Sequence, residues 1–293
     1  MRRIVWLASY PKSGNTWLRL LITASRQADV DINKISGEFN IASARGTFDH
    51  RLLVDSSLMT HDEIERLRPH VYEEIVREAD PDDEDADAGA PVHFVKVHDA
   101  YTRTRDGTPV LAGARGAEGA ILVVRDPRDV AASLANHLHI PLDQAIAFMR
   151  DPAAGFCTAE HFLPPQLRQR LLGWSRHAAS WLEQGDIPVH PVRYEDMKRR
   201  TAPVFAAAMR FADLPIGDDA IARAIADTAF DKLQAQERAT GFKEWNGKQS
   251  KGTLFFRRGE SGGWRDELSA AQVRQIEDDH GAMMTRLGYD LSA

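Results

Sequence analysis

One cysteine, Cys157, occurs in the whole sequence. That scarcity excludes an internal disulfide and any zinc site assembled from several cysteines. Cys157 itself reads as a small apolar residue rather than a nucleophile. No apolar run approaches the roughly 20 residues of a membrane-spanning helix. Met1-Arg2-Arg3 ahead of an apolar stretch imitates a signal peptide. The stretch is short, however, lacks a small-residue cleavage site and flows into a polar loop, so a cytoplasmic protein is expected. Positive charge is not in excess: 37 Lys and Arg stand against 43 Asp and Glu, a formal net charge of −6. A nucleic-acid binder with a broad basic face is thereby disfavoured, and an anionic ligand has to be met by a local cluster of cations. No internal repeat, linker or clear metal-ligating constellation is visible.

What is there suits a globular chain: 293 residues, 43% hydrophobic and 27% charged, enough for one large α/β domain or two small ones. With no linker to divide it, a single domain over 1–293 is the expectation. The organising stretch is Tyr10-Pro-Lys-Ser-Gly-Asn-Thr-Trp17. Before it, Ile4–Ser9 is the short apolar run of a buried strand. After it, Trp17, Leu18, Leu20, Leu21 and Ala24 recur at helical spacing. A loop that opens a helix after a strand presents N–H groups at a positive dipole end. Gly14 lets the backbone come close to a ligand, Lys12 adds a full charge, and Ser13, Asn15 and Thr16 add polar groups. The expected ligand is a phosphate or a group shaped like one. The NTPase pattern G-x-x-x-x-G-K-[ST] is missing, because Lys12 comes two residues before Gly14. An ordinary ATPase or GTPase is therefore disfavoured.

Residues 29–60 read as loops and short helices covering a site, and His61–Ala79 as a helix that Pro69 splits or kinks. Asp80–Gly89 reads as a solvated acidic loop. Val92–His98 alternates as a strand does, which sets Lys96 and His98 on one face. Gly119–Val124 is the continuous apolar run of a parallel-sheet strand. It ends in Arg125-Asp-Pro-Arg-Asp129, then a helix from Val130 to about Asn136. Ser133, about one turn into that helix, is near enough to the strand end for it and Arg125 to reach one phosphate. Leu142–Met149 and Gln166–Glu183 read as helices, the second with Leu167, Leu171, Leu172, Trp174, Ala178 and Trp181 as its core stripe. Pro188–Asp196 carries a strand that ends at Tyr194. Helices follow at Val204–Phe211 and Asp218–Thr228, and the last runs from about Ser269 to Leu287. Between them, Gly241–Gly263 is basic and glycine-rich, with Lys243, Lys248, Lys251, Phe255, Phe256, Arg257, Arg258 and Gly259. It reads either as a surface loop or as a clamp that brings cations and N–H groups onto an anion. Alternating strands and helices indicate an α/β fold with a central, mostly parallel sheet flanked by helices. Sites in such folds lie at the carboxyl ends of strands, where the Lys12 loop, His98, Arg125 and Tyr194 all fall.

These motifs resemble those of a known family. YPKSGNTW resembles the 5′-phosphosulfate loop of the cytosolic-type sulfotransferases, usually YPKSGTTW. VVRDPRDVAASL resembles their 3′-phosphate motif, and RRGESGGW their C-terminal RKGxxGxW loop. VKVHDA stands where KTHLP carries the family's catalytic histidine, and VRYEDM matches the strand end bearing its adenine-side tyrosine. The motifs keep the family's order and spacing over almost the whole chain. The resemblance implies a P-loop-like fold and transfer of a sulfonate group from 3′-phosphoadenosine 5′-phosphosulfate (PAPS), leaving adenosine 3′,5′-bisphosphate (PAP). The implied acceptor is a hydroxyl, less readily an amine, of a small molecule, glycan or natural product. Lys12, Ser13, Gly14, Asn15, Thr16 and Trp17 would hold the 5′-phosphosulfate. Arg125, Ser133, Arg257, Arg258 and Gly259 would hold the 3′-phosphate. Trp17, Tyr194 and residues from Thr228 to Leu233 would surround adenine, with Phe230 as the stacking ring; Phe255 completes the cofactor-binding set. His98 would be the general base. Lys12 would stabilise charge on the departing bridging oxygen, and Lys96 would either stabilise the transferring group or line the acceptor site. Positioning and charge stabilisation supply most of the catalysis in such an in-line displacement, and a leaving group that is already a stabilised phosphate anion requires no metal.

Three departures stand out: Asn15 for Thr, Arg258 for Lys, and Asp99-Ala100 for Leu-Pro after the histidine. The first two keep polarity or charge. The third alters the acceptor side, whose walls are expected from 29–60, 99–115 and 139–163. The family's dimer motif K-x-x-x-T-V-x-x-x-E is not visible after Trp264, so a homo-oligomer is not expected to form through it. Two other classes compete. A nucleotide-dependent small-molecule kinase with a variant P-loop lacks the glycine–lysine pattern and a metal-binding Asp after a strand. A non-catalytic nucleotide binder does not require His98 together with Lys12.

Overall fold

The computed structural model describes residues 3–35, 41–77, 92–160, 162–245 and 254–292. The acidic run 80–89, Lys248 and Lys251 of the basic stretch, and 36–40 of the expected acceptor wall lie outside the described residues. β1 (Arg3–Ser9) leads through the loop to α1 (Asn15–Arg26), followed by α2 (Arg45–Leu52) and α3 (His61–Arg77). β2 (Val92–Val97) and β3 (Gly119–Val124) precede α4 (Pro127–Leu138) and α5 (Leu142–Arg150). A small antiparallel ribbon, β4 (Gly155–Phe156) with β5 (Gln169–Arg170), comes before α6 (Trp174–Glu183) and β6 (Val189–Arg193). The chain finishes in helices: α7 (Tyr194–Arg199), α8 (Thr201–Phe211), α9 (Asp218–Asp227), α10 (Phe230–Thr240), α11 (Trp264–Glu267) and α12 (Ala270–Arg286).

The central sheet is four-stranded and parallel, in the order β2-β1-β3-β6. β1 pairs with β2 from Arg3 opposite Val92 to Ala8 opposite Val97. β3 is buried throughout and β1 at every position after Arg3. Both are the inner strands, which explains their unbroken apolar runs. β2, at the edge, mixes buried and half-buried positions.

Two compact units make up the chain. The first comprises Met1–Tyr10, Gly37–Leu122 and Arg150–Pro191. Its core holds Trp6, Leu7, Val95, Trp174 and Trp181, with the Trp6 and Tyr72 rings edge-to-face at 5.1 Å. The second comprises Pro11–Ser36, Val123–Met149 and Val192–Ala293. There α1 packs on α9 and α12 on α4, burying Leu18, Leu21, Ile221, Ala224, Ile276 and Met284.

Local departures from the expected elements have physical causes. Pro69 does not split α3; it is buried within a continuous helix. One lost N–H is outweighed by burial of Ile64, Val71, Tyr72 and Ile75 along the same helix. α4 starts at Pro127 rather than Val130, because the Asp126 side chain accepts from the Arg128 N–H and proline is suited to the first helical position. Ser133 therefore falls in the second turn, not the first. Gln166–Glu183 is not one helix. Leu167 N–H donates to the Ser43 carbonyl at 2.7 Å and Gln169–Arg170 pairs as a strand. Left-handed backbone at Leu172 (φ 61°) and Gly173 (φ 74°) then delays the helix to Trp174. The apolar stripe is largely buried as expected, but two elements supply it. Tyr194 opens α7 instead of closing the strand.

Candidate functional site

The loop between β1 and α1 is built on unusual backbone. Lys12 (φ 71°) and Gly14 (φ 106°) both lie in the left-handed region, which costs a lysine more than a glycine. No side chain caps α1 and no acidic residue sits in its first turn. Its positive end is thus not neutralised locally. The Ser13 hydroxyl is buried and has no protein hydrogen-bond partner. Burying a hydroxyl without a partner is unfavourable, and a ligand oxygen would relieve it. The Lys12 ammonium lies 3.8 Å from the centroid of the Phe255 ring.

Tyr194 and Arg125 close around this loop. A Cβ on Gly14 would come within 2.5 Å of Tyr194 Cδ2, so only glycine fits beneath that ring. Trp17 meets Tyr194 edge-on at 5.9 Å, and the Arg125 guanidinium lies 4.4 Å over the Tyr194 ring. Arg125 donates to the Lys12 carbonyl at 3.3 Å and to the Glu260 carbonyl at 2.9 Å. It thereby ties the β1–α1 loop to the C-terminal segment. Lys198, which the sequence reading passed over, places its ammonium 5.3 Å from the Trp17 ring centroid.

The C-terminal segment brings further expected residues together. Gly259 (φ 62°) lies so close to Phe230 that a Cβ would sit 2.1 Å from Cδ2. The expected adenine ring and the expected 3′-phosphate glycine are thus neighbours. Arg257 forms a two-pronged pair with Glu267 at 2.7 and 2.8 Å, and Arg258 approaches the same carboxylate at 3.3 Å. Glu267 thus holds both guanidiniums expected on the 3′-phosphate. The buried Thr228 hydroxyl donates to the Ala224 carbonyl at 2.8 Å, and Leu233 is buried. Ser133 is half-buried on α4.

His98, in the first unit, directly follows β2. Its Nδ1 lies 2.9 Å from the Ser9 carbonyl and 3.2 Å from the Ser9 hydroxyl. A carbonyl oxygen only accepts, so Nδ1 carries the proton and Nε2 is the basic nitrogen of the neutral ring. The surrounding turn is tightly braced. His177 Nε2–H donates to the His98 carbonyl at 3.0 Å, and Trp181 Nε1–H to the Asp99 carbonyl at 3.0 Å. Burial pulls the His177 pKa down to about 4, keeping that ring neutral. The Asp99 carboxylate takes a two-pronged contact from Arg68 at 2.8 and 3.1 Å, and both side chains are buried. Arg68 also donates to the Tyr72 hydroxyl at 3.0 Å. The Asp99 carboxylate, at the departure from the family pattern after the histidine, is engaged inside the unit. Lys96 is half-buried, and its carbonyl accepts from the Ala42 N–H at 2.8 Å. Arg68 and His177 carried no sequence signal and Trp181 only that of a core residue, since each meets the turn from a remote segment.

A parallel sheet whose first strand feeds an anion-seeking loop defines a P-loop-like α/β protein. The chain belongs to the sulfotransferase domain family, whose sequence model matches residues 119–288. Sulfotransferase 6B1 of Danio rerio is 27% identical over 124 residues; the match spans 39% of this chain and 39% of that relative's length. Among solved structures, retinol dehydratase in complex with androsterone and the inactive cofactor PAP is similar with a TM-score of 0.61 at 17% identity. That likeness covers 100% of this chain and 83% of the other. Mouse sulfotransferase SULT7A1 complexed with PAP has a TM-score of 0.57 at 19% identity, over 97% of this chain and 85% of its own. These likenesses show the shared fold. Among the described residues no helix is long and apolar enough to cross a membrane.

Proposed function

We propose that the chain is one catalytic domain that moves a sulfonate group from PAPS to a hydroxyl of a small-molecule, glycan or natural-product acceptor. The observation that carries this reading is Ser13, a buried hydroxyl without a protein partner inside a left-handed loop at the start of α1. Gly14 under Tyr194 and Gly259 against Phe230 support the same reading, because each lets a ring expected beside the adenine pack directly on the backbone, where a Cβ would collide. The family match supports the class of reaction.

PAPS, when bound, supplies the activated sulfonate and a leaving group that is already a stable anion. The chain does the rest. Lys12 through Trp17 bind the 5′ end, and Lys12 counters negative charge as it develops there. Arg125, Ser133, Arg257, Arg258 and Gly259 hold the 3′-phosphate, the two C-terminal guanidiniums exchanging Glu267 for it. Trp17, Tyr194, Thr228, Phe230 and Leu233 enclose the base, and Phe255 packs against the Lys12 ammonium. His98 Nε2 accepts the acceptor's hydroxyl proton while Nδ1–H stays on the Ser9 carbonyl, so the ring keeps one orientation throughout. Lys96 lines the acceptor side or steadies the transferring group. Thermal-shift measurements with PAP, against ATP plus magnesium, test the reading. Stabilisation by PAP without metal is expected; stabilisation by ATP with magnesium alone would point to the kinase alternative.

A further inference from the structure

Segment 255–264 carries the two arginines and the glycine expected on the 3′-phosphate, yet no helix or strand holds it before Trp264. Two buried carboxylates hold it instead. Glu237, on α10, accepts from the Phe255 N–H at 2.6 Å and from the Phe256 N–H at 2.8 Å, one through each oxygen. Asp129, on α4, accepts from the Gly262 N–H at 2.7 Å and the Trp264 N–H at 2.9 Å, again one through each oxygen. Their relative exposures are only 4% and 5%. Gln234, one turn before Glu237, adds a donated bond to the Phe256 carbonyl at 2.7 Å. Arg257, Arg258, Gly259, Glu260 and Ser261 form the span between the two anchors.

Carboxylates are costly to bury; Glu237 is compensated here by two backbone N–H groups, and Asp129 by the Arg125 guanidinium at 4.0 Å together with two more. Both anchors sit on helices, so the span is fixed at each end by rigid elements. We propose that Glu237 and Asp129 are positioning residues forming a two-ended clasp that sets segment 255–264 in its phosphate-gripping shape before any nucleotide arrives. The inference rests on the functional reading above. Pre-ordering removes an entropy loss that would otherwise fall on binding, and the benefit is confined to the ligand end that this span touches. A merely structural role would weaken all adenosine ligands alike. The clasp weakens selectively those with a 3′-phosphate.

The test uses the full chain and two amide variants, Glu237→Gln and Asp129→Asn. Each keeps the side chain's shape but turns one acceptor into a donor facing an N–H. Calorimetric titration is run with PAP and with adenosine 5′-phosphosulfate, which lacks the 3′-phosphate. Each variant should bind PAP roughly ten-fold or more weakly and adenosine 5′-phosphosulfate within about three-fold of the wild type. In the nucleotide-free wild type, hydrogen exchange should find the amides of Phe255, Phe256, Gly262 and Trp264 protected. Wild-type binding of PAP with unchanged affinity in both variants would overturn the clasp, and so would rapid exchange at those four amides. Failure of the wild type to bind PAP would instead overturn the functional reading, leaving the exchange result to decide whether the segment is pre-ordered.

Discussion

The turn at His98 and the loop at Lys12 both follow the carboxyl end of a strand, but they are finished to different degrees. At His98 the polar groups are answered within the protein. The carbonyls of His98 and Asp99 receive His177 and Trp181, the Asp99 carboxylate receives Arg68, and the ring's Nδ1 is spent on Ser9. At Lys12 the backbone is left-handed at two positions, the Ser13 hydroxyl is buried without a protein partner, and the cations of Lys12 and Arg125 lie on aromatic faces. On the function proposed above, a base gains from a lone pair held in one direction, which closed surroundings give, and a phosphate loop needs donors still to offer, which incomplete surroundings leave it.

The contrast can be broken at its closed side first. Arg68→Met leaves the Asp99 carboxylate buried without its counter-charge and should lower the unfolding free energy by about 3–5 kcal/mol. Replacing both partners, Arg68→Met with Asp99→Leu, should return most of that loss. Urea unfolding measures both, and equal losses would mean that the pair is not what holds the turn.

The next effect is on pH. Burial holds the His177 pKa at about 4, below its ordinary 6.5. As pH falls, the unfolded chain takes up this proton before the folded one does. Stability is therefore full above about pH 6.5 and declines towards pH 4, by about 3 kcal/mol from this residue. His280, also lowered to about 4 by burial, acts in the same direction. The variant His177→Gln keeps a donor for the His98 carbonyl and should flatten the acid limb of a thermal-stability profile by His177's share. An unchanged limb would show that His177 is not the source.

At the open side, Arg125→Ala should weaken PAP binding about ten- to a hundred-fold, the usual loss for charge-assisted hydrogen bonds. Adenosine 5′-phosphosulfate should suffer less, through loss of the bond to the Lys12 carbonyl and of the guanidinium over the Tyr194 ring. Equal losses in calorimetry would remove Arg125 from the 3′-phosphate.

The open side was also the more legible in sequence. Lys12, Gly14, Trp17, Arg125, Tyr194 and the Arg257–Gly259 run lie in compact motifs, where strand, turn and helix are consecutive and each residue's place follows from its neighbours. The inner strands were equally plain, because burial on both faces writes an unbroken apolar run. The closed side was not legible. Arg68 on Asp99 and His177 on the His98 carbonyl are pairings across many tens of residues, and single buried polar residues carry no period. Gln166–Glu183 failed for a related reason: its buried leucines and tryptophans satisfy a helical spacing that two left-handed residues interrupt. Asp129 was visible only as a neighbour of Arg125, and its grip on the C-terminal segment required the fold.

The most direct test of the account is transfer itself. The full chain is incubated with PAPS carrying a radiolabelled sulfonate and a panel of alcohols, phenols and glycans, beside His98→Ala. The account predicts label on at least one acceptor with the wild type, a loss of about 10²–10⁴-fold in the variant, and unchanged PAP affinity in both. Transfer at the wild-type rate by His98→Ala, or no transfer to any acceptor by a wild type that binds PAP, would contradict it.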